Sequence, residues 1–263
     1  MPDTGTALAR AMQAVRGGAA MLDVGGESTR PGADRVSAHE QIARVLPIIG
    51  AIRGCDDMDV AGIPISVDTT LAEVARAAID AGADAINDVS GGTEDPALLD
   101  LAASTGAGLV LMHRGPAPPK DKYADEYERE PAYSGGVVRA VRRALAEHTE
   151  RAVAHGVARE RIVIDPGLGF GKSVEQNMDL LRHVGELAGV GLPVYVGASR
   201  KRFVGRVSIG EASEPMERLA GSVAVTVLGA LGGALLHRVH DVAQHVQALS
   251  VLEAWNARDG SGV

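Results

Sequence analysis

Seven short apolar runs in this chain end in side chains that can bind or catalyse. Asp68-Thr69, Asn87-Asp88 and Asp165 follow three of them, and Ser199-Arg200-Lys201 follow a fourth. Asp23 with Glu27-Ser28-Thr29-Arg30, then His113, then Arg238 with His240-Asp241 follow the rest. Asp68, Asn87 and Asp165 offer acceptors and a mixed donor/acceptor amide, a set that suits the guanidine-like edge of a flat heterocycle. Lys201 can donate to a ring oxygen or nitrogen. Arg30, Arg238 and His240 suit an anionic group at the mouth. Gly167 and Gly169 let backbone approach a ring face, and Phe170 can wall the pocket. The ligand these residues describe is a polar aromatic ring at depth with a phosphate or carboxylate outside.

The stretch "RIVIDPGLGFGKS", Arg161 to Ser173, ends like a nucleotide-binding P-loop. The opening glycine of that pattern would fall at Pro166, which has no N–H and a fixed φ, so the ATP reading fails.

The elements that must position these groups alternate along the chain. Candidate buried strands are 21–24, 63–67, 85–87, 108–112, 162–164, 194–196 and 235–239. Helical patterns lie between them. Ser37-x-x-Glu40, Thr70-x-x-Glu73 and Ser173-x-x-Gln176 are expected capping boxes, and Asp95-Pro96 and Asp241 are further expected helix starts. A pattern with Leu8, Met12 and Val15 at i, i+4, i+7 opens the chain, and Val223–Leu236 reads as a buried helix running into a strand. Seven strands and eight helices in alternation predict a parallel sheet, and in a barrel the carboxyl ends of such strands are where active sites form. Seven strands in a row ending in polar side chains point to one shared site; a single one would be only a helix cap.

Bulk properties narrow the class. The chain has 263 residues, 46% of them hydrophobic, enough for one large core, so residues 1–263 are expected to form a single domain. Cys55 is the one cysteine, so no internal disulfide forms and a reducing, cytoplasmic setting is expected. The start lacks the pattern of a secretory leader, and the longest apolar run is too short to span a bilayer. A net charge of −8 argues against nucleic-acid partners. The segment Arg114–Tyr133, rich in proline and charge, is expected to be a mobile rim loop. Structural roles compete at several positions. Asp23 and Asp88 suit caps or buried partners, His113 a supporting position, and Met112 core filling. Lys172 and the charge run Asp121–Glu130 read as solvated surface, and Tyr123 and Tyr127 as chemically idle.

Seven segments carry a family resemblance: "LDVGGESTRPGA" (22–33), "ISVDTT" (65–70), "INDVSGG" (86–92), "LVLMH" (109–113), "VIDPGLGFGK" (163–172), "GASRKRF" (197–203) and "RVHDV" (238–242). Together, and in this order, they resemble the signature segments of the dihydropteroate synthases. The resemblance implies a (β/α)8 TIM barrel that binds pterin. It implies condensation of 6-hydroxymethyl-7,8-dihydropterin diphosphate with 4-aminobenzoate in folate biosynthesis, a sulfonamide-sensitive reaction. Carried over by motif position, Asp68, Asn87, Asp165 and Lys201 hold the pterin, with Met112, Phe170 and the backbone at Gly169 lining its slot. Arg238 and His240 bind the leaving diphosphate, Thr29 and Arg30 lie on a loop over the second substrate, and Ser199 meets the aminobenzoate carboxylate. The family also implies a homodimer and magnesium. One departure stands out: the family's opening strand and loop, reading like "NVTPDSF", has no counterpart here, so the first barrel strand and the usual asparagine partner of Mg²⁺ are missing. Two readings follow, a start downstream of the natural one or a degenerate relative that keeps pterin binding with impaired turnover. A methyltetrahydrofolate–corrinoid methyltransferase-like barrel is a further alternative, disfavoured because the STRPGA loop and SRK triplet do not belong to it.

Overall fold

The structure, a computed structural model, describes residues 3–210 and 212–257. Seven parallel strands alternate with helices. The strands are β1 (Leu22–Gly25), β2 (Ile65–Asp68), β3 (Ala85–Asp88), β4 (Gly108–Met112), β5 (Ile162–Asp165), β6 (Tyr195–Val196) and β7 (Leu236–His237). The helices are α1 (Thr4–Arg16), α2 (Ala38–Arg53), α3 (Met58–Ala61), α4 (Ala72–Asp80), α5 (Ala97–Thr105), α6 (Val137–Ala154), α7 (Val174–Arg182), α8 (Val184–Ala188), α9 (Arg202–Ser208), α10 (Leu219–Leu231) and α11 (Val242–Asn256). Among the described residues eleven α-helical segments stand where the sequence suggests eight. Asp57 caps the extra turn α3, His183 breaks α7 from α8, and a 3-10 turn over Pro215–Arg218 separates α9 from α10.

Strands β1 to β5 form one continuous parallel sheet in sequence order. Ile65, Val67, Ile86, Leu109, Leu111 and Ile164 on these strands are buried and make the core. A bridge from Ile164 to Val194 passes the wall on to the β6–β7 pair. Among the described residues no ladder joins β7 back to β1, so the barrel wall has a seam where an eighth strand would stand. A cavity of about 610 Å³ fills the seam. Helices α1 and α11 shield it from outside with Ala7, Ala11, Ala14, Val246 and Leu249. Met1 and Pro2, which open the chain, lie outside the described residues.

Local chemistry explains the helix starts, with corrections. Ser173 and Gln176 form the full reciprocal capping box on α7. Ser37 caps α2, but Glu40 turns outward to Arg44 and does not complete a box. Thr70 caps nothing: its hydroxyl accepts from Arg35, and Leu71 sits at the cap of α4. Asp95 serves instead, one carboxylate oxygen accepting from Ala72 N at 2.8 Å and the other from Ala97 N at 3.2 Å, so it starts two helices at once. Asp241 gives no side-chain cap to α11, because its carboxylate pairs with Arg200. Helix α10 does run into β7, through a turn that Gly233 makes at φ 96°, but it is not buried throughout: Leu228 and Leu231 are about half exposed. No helix among the described residues is long and apolar enough to cross a membrane.

Candidate active site

Strand register brings the polar tips together. Asp68 pairs with Asn87 across β2–β3, and Met112 pairs with Asp165 across β4–β5. All four are buried beneath the rim. Asp23 ties the floor together: its carboxylate accepts from Ser66 Oγ at 2.7 Å, Asn87 Nδ2 at 3.2 Å and Arg238 Nε at 2.6 Å. Arg238 also reaches Asp68 Oδ2 at 3.2 Å, so one guanidinium spans the open seam and joins carboxylates from β1 and β2. Asp68 Oδ1 is buried with no partner. Burial first, and the charge of Asp23 second, push the Asp68 carboxyl up to about 7 against the pull of Arg238.

Asp165 accepts from Gly167 N at 2.7 Å. Burial raises its pKa, and Lys201 is the foremost opposing charge. Lys201 donates to the Leu168 carbonyl and stands 4.3 Å over the Phe170 ring. Burial lowers the Lys201 ammonium to about 8, with Asp165 resisting. Between Ser199 and Lys201, Arg200 adopts the left-handed φ of 60°, strained for a residue with a Cβ. Its N–H donates to Ser222 Oγ and its guanidinium pairs with Asp241, and together they hold the turn that aims Lys201 inward.

A cavity of about 650 Å³ opens above this floor. Of the residues singled out from sequence, Thr29, Arg30, Asp68, Gly169, Phe170, Ser199, Lys201, Arg238 and His240 line it. Asn87, Met112 and Asp165 are buried, with only a few per cent of each side chain exposed, and are not among the lining residues. The Ser199 hydroxyl accepts from the His240 backbone N–H at 3.2 Å and lies 3.1 Å from His240 Nδ1, so it sits at the cationic end of the cavity. Partial burial first, then the guanidinium of Arg200, hold the His240 imidazole down to about 4.

Four expectations are corrected here. Lys172 is not a solvated side chain but the largest wholly buried one. The rim loop 114–133 is anchored, not loose: Asp121 is buried and accepts from Gly171 N at 3.1 Å and from the Tyr127 hydroxyl at 2.9 Å, and the Tyr133 hydroxyl donates to the Gly171 carbonyl at 2.8 Å. The charge run 121–130 is therefore not all wet surface: Ser173 Oγ donates to Glu130 at 2.7 Å, and Arg202 pairs with Asp125 and Glu126. Tyr127 and Tyr123 are accordingly employed, the latter under the Arg202 guanidinium at 4.3 Å. Asp88 is structural, accepting from Ser90 N and Gly92 N in a tight turn. Asp23 is the residue that sequence reasoning undervalued; its place directly opposite Ser66 in the sheet is what reveals it.

The class of protein this defines is a parallel (β/α) barrel whose rim gathers buried carboxylates from several strands beneath a cavity lined by Lys201 and Arg238. The chain matches the family described as "Pterin binding enzyme" over residues 1–240. It is 42% identical over 249 residues to a dihydropteroate synthase of Synechocystis sp., covering 95% of this chain and 81% of that protein. The solved dihydropteroate synthase of Xanthomonas albilineans with 4-aminobenzoic acid superposes at a TM-score of 0.84 and 42% identity, covering 97% of this chain and 85% of that one. The Burkholderia cenocepacia dihydropteroate synthase complexed with 7,8-dihydropteroate superposes at 0.86 and 39% identity, covering 99% and 90%. The chain belongs to the pterin-binding enzymes, in the dihydropteroate synthase family.

Proposed function

We propose that this chain joins 6-hydroxymethyl-7,8-dihydropterin diphosphate to 4-aminobenzoate, forming 7,8-dihydropteroate and pyrophosphate. The observation that carries the reading is Asp68 Oδ1, a buried carboxylate oxygen without a partner at the base of a cavity that Lys201 and Arg238 share. Such an oxygen costs free energy unless a ligand donor reaches it. The N–H edge of a pterin is such a donor. Asp68, Asn87 and Asp165 hold the ring, Lys201 donates to it, and Met112, Gly169 and Phe170 wall it.

The amine nitrogen of 4-aminobenzoate bonds to the pterin methylene carbon. The bond from that carbon to the diphosphate oxygen breaks, its electron pair leaves with the diphosphate, and the amine proton passes to solvent. Positive charge growing at the carbon is met by the buried carboxylates, and negative charge on the leaving oxygen by Arg238 and His240. An arylamine is already nucleophilic at neutral pH, so positioning by Thr29, Arg30 and Ser199 replaces a strong base. Sulfonamides, as mimics of the aminobenzoate, would compete at that end.

Magnesium fits this chain poorly as a resident ion. No cluster of three metal-ligating side chains occurs among the described residues, and the free oxygen of Asp68 lies beside the Arg238 guanidinium, which repels cations. Magnesium is therefore proposed only as a counterion arriving with the diphosphate, and no step is assigned to it. A homodimer in the cytoplasm completes the reading. Leu228, Leu231, Met216 and Trp255 are exposed apolar side chains suited to its interface. The test is formation of dihydropteroate from the two substrates by the full chain, with no turnover overturning the proposal.

The open seam favours a second reading, a pterin-binding protein with impaired turnover, because the cations that would face the diphosphate flank the unclosed wall. Pterin binding measured beside turnover separates the two.

A further inference from the structure

We infer that Lys172 is a positioning residue that sets the shape of the loop 166–171, and through it the places of Phe170 and Lys201; the inference rests on the pterin-site reading above. Lys172 is 0% exposed. Burying an ammonium costs several kcal/mol unless every proton finds an acceptor. Its three protons do: Nζ donates to Gly167 O at 2.9 Å, Phe170 O at 2.8 Å and His113 O at 3.3 Å. The ammonium thus gathers carbonyls from both ends of one rim loop and from the loop after β4.

The loop's other bonds are single ones: within it Phe170 N donates to Gly167 O at 3.1 Å, and at its end the Tyr133 hydroxyl donates to Gly171 O at 2.8 Å. Gly167, Gly169 and Gly171 take positive φ of 66°, 82° and 67°, conformations with no intrinsic preference over their alternatives. The fit is nevertheless close: a Cβ on Gly167 would lie 1.9 Å from the His113 carbonyl oxygen, and one on Gly169 would lie 2.8 Å from Lys201 Cδ. The amides are pinned singly, Gly167 N to Asp165, Gly169 N to Asn177 Oδ1 and Gly171 N to Asp121. Among these pins only Lys172 links the start of the loop, its end and the neighbouring loop. The same loop presents Phe170 to the cavity and gives Lys201 its Leu168 carbonyl. Lys172 itself does not line the cavity, so its effect on a ligand passes through the loop.

Four titratable groups face this ammonium from the packed elements: Asp165, Asp121, Lys201 and His113. Burial lowers the Lys172 ammonium to about 7. Loss of its proton leaves one carbonyl unpaired, so the loop loosens as pH rises through that value.

The test uses the full chain and two readouts, amide hydrogen exchange without ligand and binding of pteroic acid. Lys172→Met keeps the length and removes the donors. Exchange is expected to rise at least tenfold in 166–171 and 113–116 while β2 and β3 stay protected, and pteroate affinity is expected to fall about tenfold or more, with KM for the pterin substrate rising more than kcat falls. Wild-type exchange in the loop overturns the inference, and so does a uniform rise across the barrel, which would mark a merely structural lysine. If the methionine variant does not fold, Lys172→Gln, which retains two donors, is read the same way and is expected to show a smaller loop-confined rise. Failure of the wild type to bind pteroate would sink the pterin reading, while the ligand-free exchange still decides the role of Lys172.

Discussion

From β2 to β5 every strand is four or five residues long and pairs on both sides, and its carboxyl end carries Asp68, Asn87, Met112 or Asp165. From β6 through β7 to β1 the wall is thin. Strands β6 and β7 have two residues each, Leu235 beside β7 is 65% exposed, and no ladder among the described residues closes the circle. The ring-holding half of the site hangs from a continuous hydrogen-bonded arc. The anion-holding half, Thr29, Arg30, Arg238 and His240, hangs from loops on either side of the seam. The difference teaches how the chain holds its site without a closed wall: one side chain, Arg238, bonds across the seam to Asp23 and Asp68 where backbone does not. The proposed function assigns shape recognition to the arc and leaving-group electrostatics to the seam.

The sharpest way to break this contrast is at the two charges proposed to hold the ring, Asp165 at the end of the arc and Lys201 just past β6. Asp165→Ala and Lys201→Ala should each lower turnover by about a hundredfold or more, because each removes the foremost opposing charge near a buried group as well as a proposed ligand contact. Steady-state dihydropteroate formation checks this, and near-normal rates in either variant would refute the site.

On the seam, Arg238→Ala should cost about 10- to 100-fold in kcat/KM, weighted to the diphosphate substrate. Pteroate, which lacks the diphosphate, should bind with less loss. Equal losses for both ligands would erase the proposed division of labour. The backbone offers a milder probe. Amides of β7 and the outer edge of β1 should exchange at least about tenfold faster than those of β3 and β4, since local opening is easiest where pairing is absent. Equal protection would mean that the seam is closed in solution.

The smallest expected effect is on stability. The Asp68 carboxyl is raised from 3.8 to about 7 in the fold. Between those values the folded state binds the proton and the unfolded chain does not, so stability falls as pH rises and the loss is complete above about 7. Asp68→Asn should therefore raise Tm by a few degrees at pH 8, with the gain fading toward pH 4. A gain that grew toward acid would reverse the assigned sign.

Much of the arc was legible in sequence. The runs at 85–87, 108–112 and 162–164 are short, apolar and followed by polar groups, and strands buried on both faces must read that way. The capping box at Ser173 was legible for the same local reason. Thr70 and Asp241 misled because their partners, Arg35 and Arg200, come from distant segments, and a guanidinium there outcompetes a local cap. The loop 114–133 misled because proline and charge suggest solvent, whereas the acceptors and donors that bury Asp121 and employ Tyr133 lie on the β5 loop some forty to fifty residues away.

Composition, hydrophobic period and the order of polar tips after each strand were enough to determine a parallel α/β sheet and the strand ends that carry the polar cluster, and the order of the signature segments supplied the barrel. Those are local or additive properties, readable wherever side chains repeat with a fixed spacing. Only the tertiary structure decided that Asp23 is the hub of the floor, that Lys172 is sealed beneath the glycine loop, and that Arg238 bonds to both Asp23 and Asp68 beside β1. Each depends on which charges end up buried together, and desolvation is fixed by three-dimensional neighbours that no spacing along the chain specifies.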